Sequence, residues 1–178
     1  MSDYGELIGR DTVRFTRVLP GPIERVWSYI VESDKRAKWL CAGEMELQAG
    51  GKVDLLFHNA TLSDVEDDAP PEKYATMNGE ILFHGKVTRC EPPVLLAHTW
   101  IWEDHPSEVC YKLAAQDDKV LLTVTHSRMR DIEEVASACG GWHVHLGILA
   151  DVLEGRDRRA FWRAHAALEG EYEKRLQA

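Results

Sequence analysis

Eight histidines in a chain of 178 residues are the first candidates for chemistry. Two of them lie in the stretch GGWHVHLGILADVL, residues 140–153. Read as a helix, this stretch puts Trp142, His145, Leu146, Leu149, Val152 and Leu153 on one face, the i, i+3, i+4, i+7 stripe of a core-facing helix. The stripe is apolar except for His145. His143, two positions earlier, points to a different face, so the pair does not form a metal chelate. No HExxH or other close ligand pattern occurs, and His58, His84, His98 and His126 fall on separate strand-like segments. The four cysteines, Cys41, Cys90, Cys110 and Cys139, are far apart and form no CxxC pair. No metal and no cofactor is expected. The cysteines are read as small buried apolar residues of a reducing compartment.

Nucleophilic and nucleotide chemistry find no more support. A Ser/His/Asp set is spatial, so spacing does not exclude it. There is, however, no GxSxG elbow, no GxGxxG after a strand and no GxxxxGK[ST]. Gly140 and Gly141 read as a helix start or weak point. No residue is assigned a catalytic role.

The remaining chemistry is that of a cavity. In VLLAHTWIW, alternation places Leu96, His98, Trp100 and Trp102 on one face of a strand. If that face is inward, it meets Tyr111 on the next strand and the Trp142/His145 stripe on the helix. Aromatic rings around a few polar tips suit a small-molecule pocket. The tips would be His98, Tyr111, His126 and His145. A buried neutral imidazole has one donor and one acceptor and could orient a bound carbonyl or hydroxyl. With Trp39, Phe57 and Leu149 these residues make the candidate ligand-binding set. The plainer reading stays beside it: an inward tryptophan is ordinary core, and His145 is a hydrogen-bonded core histidine.

These residues need elements to position them. TVRFTRVLP reads as a first strand over 12–19. GPIERVWSYIV begins a helix with Pro22 at its first position, burying Ile23, Val26, Trp27 and Ile30. Ser33 caps a second short helix, DKRAKWL, ending near Leu40. GEMEL and GKVDLLFH flank Gly50-Gly51 and read as a hairpin. Residues 59–78 are polar, acidic and without period; they read as a solvated loop, with a pocket lid as the alternative. GEILFHGKVTRCEPP is a strand with a bulge at Gly85. VLLAHTWIW, EVCYKLAA and VLLTVTHS complete an antiparallel meander. Helix follows over 133–153. After a break at GRD it resumes with Phe161, Ala164, Leu168, Tyr172 and Leu176 on one side. A curved sheet needs its apolar face covered, and the 142–153 stripe is the cover.

Composition agrees with one soluble globular domain, 44% hydrophobic and 29% charged. A net charge of −9 argues against nucleic acid and anionic membranes as partners. The N-terminus MSDYGELIGRD has neither a basic start nor an apolar core, and no run approaches the roughly 20 apolar residues of a membrane span. A cytoplasmic location is expected.

The stretches LPGPIERVWSYI, KRAKWL, GGKVDLLF, HGKVTRCEPPVLLAHTW, LTVTHS and GGWHVHLGIL, in this order across about residues 12–154, resemble the START-like (SRPBCC) helix-grip superfamily. Within it they are similar to the AHSA-type bacterial proteins related to the C-terminal domain of the heat-shock-protein ATPase activator. The resemblance implies an α+β helix-grip fold: a curved antiparallel sheet wrapped around a long C-terminal helix, with two short helices after the first strand. The whole chain is then one domain, 1–178, with its core over 12–154 and an additional helix over 157–177. The resemblance also implies a cavity between sheet and helix for a small hydrophobic ligand. Relatives of this kind include lipid and hormone carriers, polyketide cyclases and chaperone activators, so fold alone does not choose. The alternatives are a cyclase- or hydrolase-like enzyme using His98 and His145 as acid/base groups, and a chaperone-associated interaction module. The expected partner is a small apolar molecule, and a homodimer through a sheet edge or the terminal helix is left open.

Overall fold

A computed structural model describes residues 2–177. Its strands form one seven-stranded antiparallel sheet in the order β1-β2-β7-β6-β5-β4-β3. The strands are β1 (Glu6–Leu7), β2 (Val13–Pro20), β3 (Lys52–Phe57), β4 (Ile81–Glu91), β5 (Leu95–Trp102), β6 (His105–Gln116) and β7 (Lys119–Ser127). From β3 to β7 each strand pairs with the next in sequence, and β2 returns to pair with β7. Alternation drives this arrangement. Val13, Phe15, Arg17 and Leu19 of β2 are buried on one face, as are Val109, Tyr111 and Leu113 of β6 and Val120, Leu122 and Val124 of β7. Between β2 and β3 run α1 (Ile23–Val31) and α2 (Ser33–Arg36). The chain closes with α3 (Ile132–Leu153) and α4 (Phe161–Gln177). This is the helix-grip architecture. No helix among the described residues is long and apolar enough to cross a membrane.

Helix α3 is buried on two sides. Trp142, His145, Leu146, Leu149 and Leu153 face the sheet, as the stripe requires, while Val152 is only half-buried. The opposite side carries Gly140, Val144, Gly147, Ile148 and Asp151, and these are buried as well. Glycine makes this second contact close. A Cβ on Gly140 would lie 3.4 Å from Nε2 of His165 in α4, and one on Gly147 would lie 2.5 Å from the Arg159 guanidinium. The helix is continuous through Gly140-Gly141, with no break there. Asp131 caps its start, accepting from the Glu134 N–H at 2.8 Å.

Several local expectations are corrected. Helix α2 is four residues long, and Ser33 does not cap it: its hydroxyl accepts from the Gly43 N–H at 2.9 Å. The chain turns away there because Arg36, fully buried, donates to the carbonyls of Ile30, Val31 and Gly43. The first arm of the 43–57 hairpin is reduced to isolated bridges, Ala42 to Leu56 and Met45 to Val53. The β4 bulge lies between Val87 and Arg89. Gly85 serves close approach instead, since a Cβ there would sit 1.9 Å from the Thr99 carbonyl oxygen. Of the cysteines only Cys41 and Cys139 are buried; Cys90 on β4 and Cys110 on β6 are half-buried.

The segment 58–80 is not a free solvated loop. It forms 3-10 turns at Asn59–Thr61 and Glu72–Met77 and is tied to the start of α4. The Asp67 carboxylate accepts from the N–H groups of Trp162 and Arg163 at 2.9 and 3.0 Å, and Ser63 Oγ accepts from that of Phe161 at 2.9 Å. These are the groups that a helix start leaves unsatisfied. Asp64 also forms a two-pronged ion pair with Arg158, at 2.7 and 3.0 Å.

Candidate functional site

Helix α4 packs against α3, and together with segment 58–80 and the sheet these elements border a cavity of about 910 Å³ that is open on one side. The sheet supplies Phe57, Ile81, Phe83, Trp100, Trp102, Ser107 and His126. Helix α3 supplies its N-terminal half as far as His145, with Gly141 and Trp142 between. Helix α4 supplies Phe161, Trp162, His165 and Glu169, and the intervening segment supplies Asn59, Tyr74 and Met77. The volume lies within the roughly 300–1,000 Å³ of small-molecule sites.

The walls are aromatic. Trp100 stacks on Phe57 with centroids 5.0 Å apart and on His126 at 5.7 Å, and Trp142 stands edge-on to it at 6.2 Å. Phe83 joins Trp102 at 4.9 Å. On the α4 side Phe161 lies 5.0 Å from His145 and 4.9 Å from Trp162, and Tyr74 stacks over Trp162 at 6.0 Å.

The polar atoms among these rings are mostly committed. Trp142 Nε1–H donates to His126 Nδ1 at 3.0 Å. The indole can only donate, so the neutral imidazole carries its proton on Nε2 and gives it to Ser107 Oγ at 2.8 Å. Ser107 in turn donates to the Trp100 carbonyl at 3.1 Å. Trp162 Nε1–H donates to Asn78 Oδ1 at 2.7 Å. His145 Nδ1 lies 2.8 Å from the Trp39 carbonyl, which can only accept, so Nδ1 is protonated and Nε2 is the bare nitrogen. At the mouth Tyr74 donates to Glu169, and Lys73 pairs with the same carboxylate at 2.8 Å.

Burial governs the titration of this region. It pulls His145 down to about 4 and His126 to about 3. It also lowers His165, while it pushes Glu169 upward against the stronger opposite effect of the Lys73 and Tyr74 hydrogen bonds, which leave that carboxyl below its ordinary value. Inside the cavity the imidazoles are therefore neutral at physiological pH.

Of the residues singled out in the sequence, Phe57, Trp100, Trp102, His126, Trp142 and His145 meet on the cavity wall. Trp39, His98, Tyr111 and Leu149 do not; each is essentially inaccessible in the core beneath it. Trp39 donates from Nε1 to the Tyr29 carbonyl at 2.8 Å. His98 donates from Nδ1 to the Thr99 carbonyl at 2.9 Å, and its ring sits 5.9 Å from that of Tyr111. Burial lowers its pKa to about 4. Sequence reasoning missed Tyr74, Phe83, Phe161, Trp162, His165 and Glu169. The buried stripe of α4 is Phe161, Trp162, His165, Glu169 and Tyr172, whereas the expected Ala164 and Leu168 are only half-buried. The signal was the i, i+4, i+8 spacing of Phe161, His165 and Glu169, obscured because its lower members are polar.

The family model described as Activator of Hsp90 ATPase homolog 1-like protein matches residues 20–154. A Bordetella parapertussis protein solved by solution NMR is 39% identical, with 98% of this chain and 91% of that one covered at a TM-score of 0.82. CalU16 from Micromonospora echinospora is 18% identical at a TM-score of 0.68, covering 94% of this chain and 88% of that one. DynU16, from the dynemicin biosynthetic locus, is 24% identical at 0.64, covering 85% of this chain and 51% of that one. The last two likenesses concern the fold. No curated protein matches the chain.

Proposed function

The chain belongs to the family of Activator of Hsp90 ATPase homolog 1-like proteins, and from its own interior we propose that it binds a small hydrophobic ligand between sheet and helices. The observation that carries this is the aromatic-walled recess of about 910 Å³, which the sheet, α3, α4 and segment 58–80 jointly border. An apolar, ring-lined recess of this size in a folded domain is a feature to explain. Its walls favour rings and alkyl groups, and its few polar atoms would fix orientation.

A cyclase or hydrolase reading would need a group that exchanges protons near neutral pH. His98 lies beneath the cavity, and His126 is saturated by Trp142 and Ser107. His145 is held neutral by burial. The chaperone-associated reading rests on the family description.

The test is titration with N-phenyl-1-naphthylamine, a neutral probe that brightens in apolar surroundings. One saturable site per chain is expected, with tryptophan emission falling as the probe fills. The melting temperature rises with probe concentration, as the folded state gains about 2.7 kcal/mol at a hundredfold excess over Kd. No saturable binding and no thermal shift would remove the reading.

A further inference from the structure

Resting on that reading, we infer that the cavity selects uncharged aromatic ligands bearing a hydrogen-bond donor, of the phenol type, which His145 Nε2 accepts. Four side-chain donors of the wall are spent: Trp142 on His126, His126 on Ser107, Ser107 on the Trp100 carbonyl and Trp162 on Asn78. The Asn59 amide and the His165 ring are uncommitted, but each can offer a ligand either a donor or an acceptor and so sets no preference. His145 spends its one proton on the Trp39 carbonyl at 2.8 Å. Its Nε2 has no partner among the described residues, in a residue that is only 6% exposed. A ligand carbonyl placed there would set lone pair against lone pair, whereas an O–H or aryl N–H would complete the imidazole.

Charge points the same way. The cavity and its mouth carry five carboxylates, Asp131, Glu133, Glu134, Glu169 and Glu173, against two cations, Lys73 and Arg130. Both cations are already engaged. Lys73 holds Glu169 at 2.8 Å, and Arg130 holds Glu103 and Glu134 at 2.9 and 3.2 Å. An anionic ligand would enter an apolar space with no free cation among the described residues that line it. Fatty-acid carboxylates and aromatic acids are thereby disfavoured.

Three probes of one ring system separate the possibilities: 2-naphthol, 2-methoxynaphthalene and 2-naphthoate, compared by isothermal titration calorimetry. The native chain is expected to bind 2-naphthol about 3- to 10-fold more tightly than 2-methoxynaphthalene, the difference one neutral hydrogen bond makes. 2-Naphthoate is expected to bind weakest. In His145→Phe the naphthol preference disappears while 2-methoxynaphthalene binding persists. Should that variant fail to fold, imidazole nitrogen NMR of the native chain gives the same answer: the bare Nε2 resonance of His145 shifts on adding 2-naphthol. Equal affinity for naphthol and its methyl ether, a stationary Nε2 resonance, or tightest binding of naphthoate would overturn the inference and leave the cavity reading standing. Binding of none of the three, with N-phenyl-1-naphthylamine also excluded, would remove both.

Discussion

Histidines 98, 126 and 145 are each buried as neutral imidazoles, and this ties the chain's stability to pH. Burial lowers His98 and His145 to about 4 and His126 to about 3. In the unfolded chain each returns to its ordinary value near 6.5. Above that value both states are unprotonated and these groups leave stability unchanged. As pH falls from 6.5 toward 4, the unfolded chain takes up protons that the folded chain refuses, so stability declines. The slope is roughly 1 kcal/mol or more for each pH unit and each group in that window. Urea midpoints measured between pH 7.5 and 4 should therefore drop steeply well before the carboxylates titrate. A flat profile down to pH 5 would contradict the placement of these rings. Alternation along a strand told which face His98 and His126 occupy, but not how far each lies from the helix that covers that face. His98 is sealed against Tyr111, while His126, on a different strand and against Trp142, reaches the cavity. That difference depends on sheet curvature and helix position, which no local pattern encodes.

The elements that carry clear periods were readable, and those held by remote partners were not. Strands β2 and β4–β7 declare themselves by a period of two, and the sheet-facing stripe of α3 by its 3.6-residue spacing. Residues 59–78 have no period because their order comes from α4, about 90 residues later, through Ser63, Asp64 and Asp67. Their acidity, which read as solvation, matches the exposed N–H groups and positive dipole of a helix start. Burial pushes the Asp67 carboxyl up, but the N–H bonds from Trp162 and Arg163 outweigh it and leave it below its ordinary value. Asp67→Ala should thus destabilise the fold by about 1–2 kcal/mol. The loss should concentrate locally. Hydrogen exchange should quicken in segment 58–80 and the first turns of α4, with β5–β7 amides unchanged. Because Asn59, Tyr74 and Met77 line the cavity, probe affinity should fall in the same variant. Uniform acceleration across the sheet would show instead that segment and helix do not form a separable unit.

The cavity exists because four parts of the chain that are distant in sequence fail to fill the space they border. Residue types on each wall could be guessed from their own periods, but a void is a property of how walls meet. Gly141 shows the consequence most directly. It sits within α3 on the cavity wall, and a Cβ added there would meet no atom within 4 Å. A glycine inside a helix costs about 1 kcal/mol relative to a strong helix former, with no compensating contact at this position. Its neighbour Gly140 is explained by the approach of His165 and Glu169, and Gly147 by Arg159; Gly141 touches nothing. What its missing side chain provides is room. Gly141→Leu should therefore raise stability by about 1 kcal/mol in urea denaturation through helix propensity. It should also weaken N-phenyl-1-naphthylamine and 2-naphthol by about tenfold or more, because its side chain occupies ligand space. Opposite signs on stability and binding from one substitution are the mark of a void kept for a guest. If Gly141→Leu instead lost stability and bound the probes as the native chain does, the space beside α3 would be closed in solution and the guest would lie elsewhere.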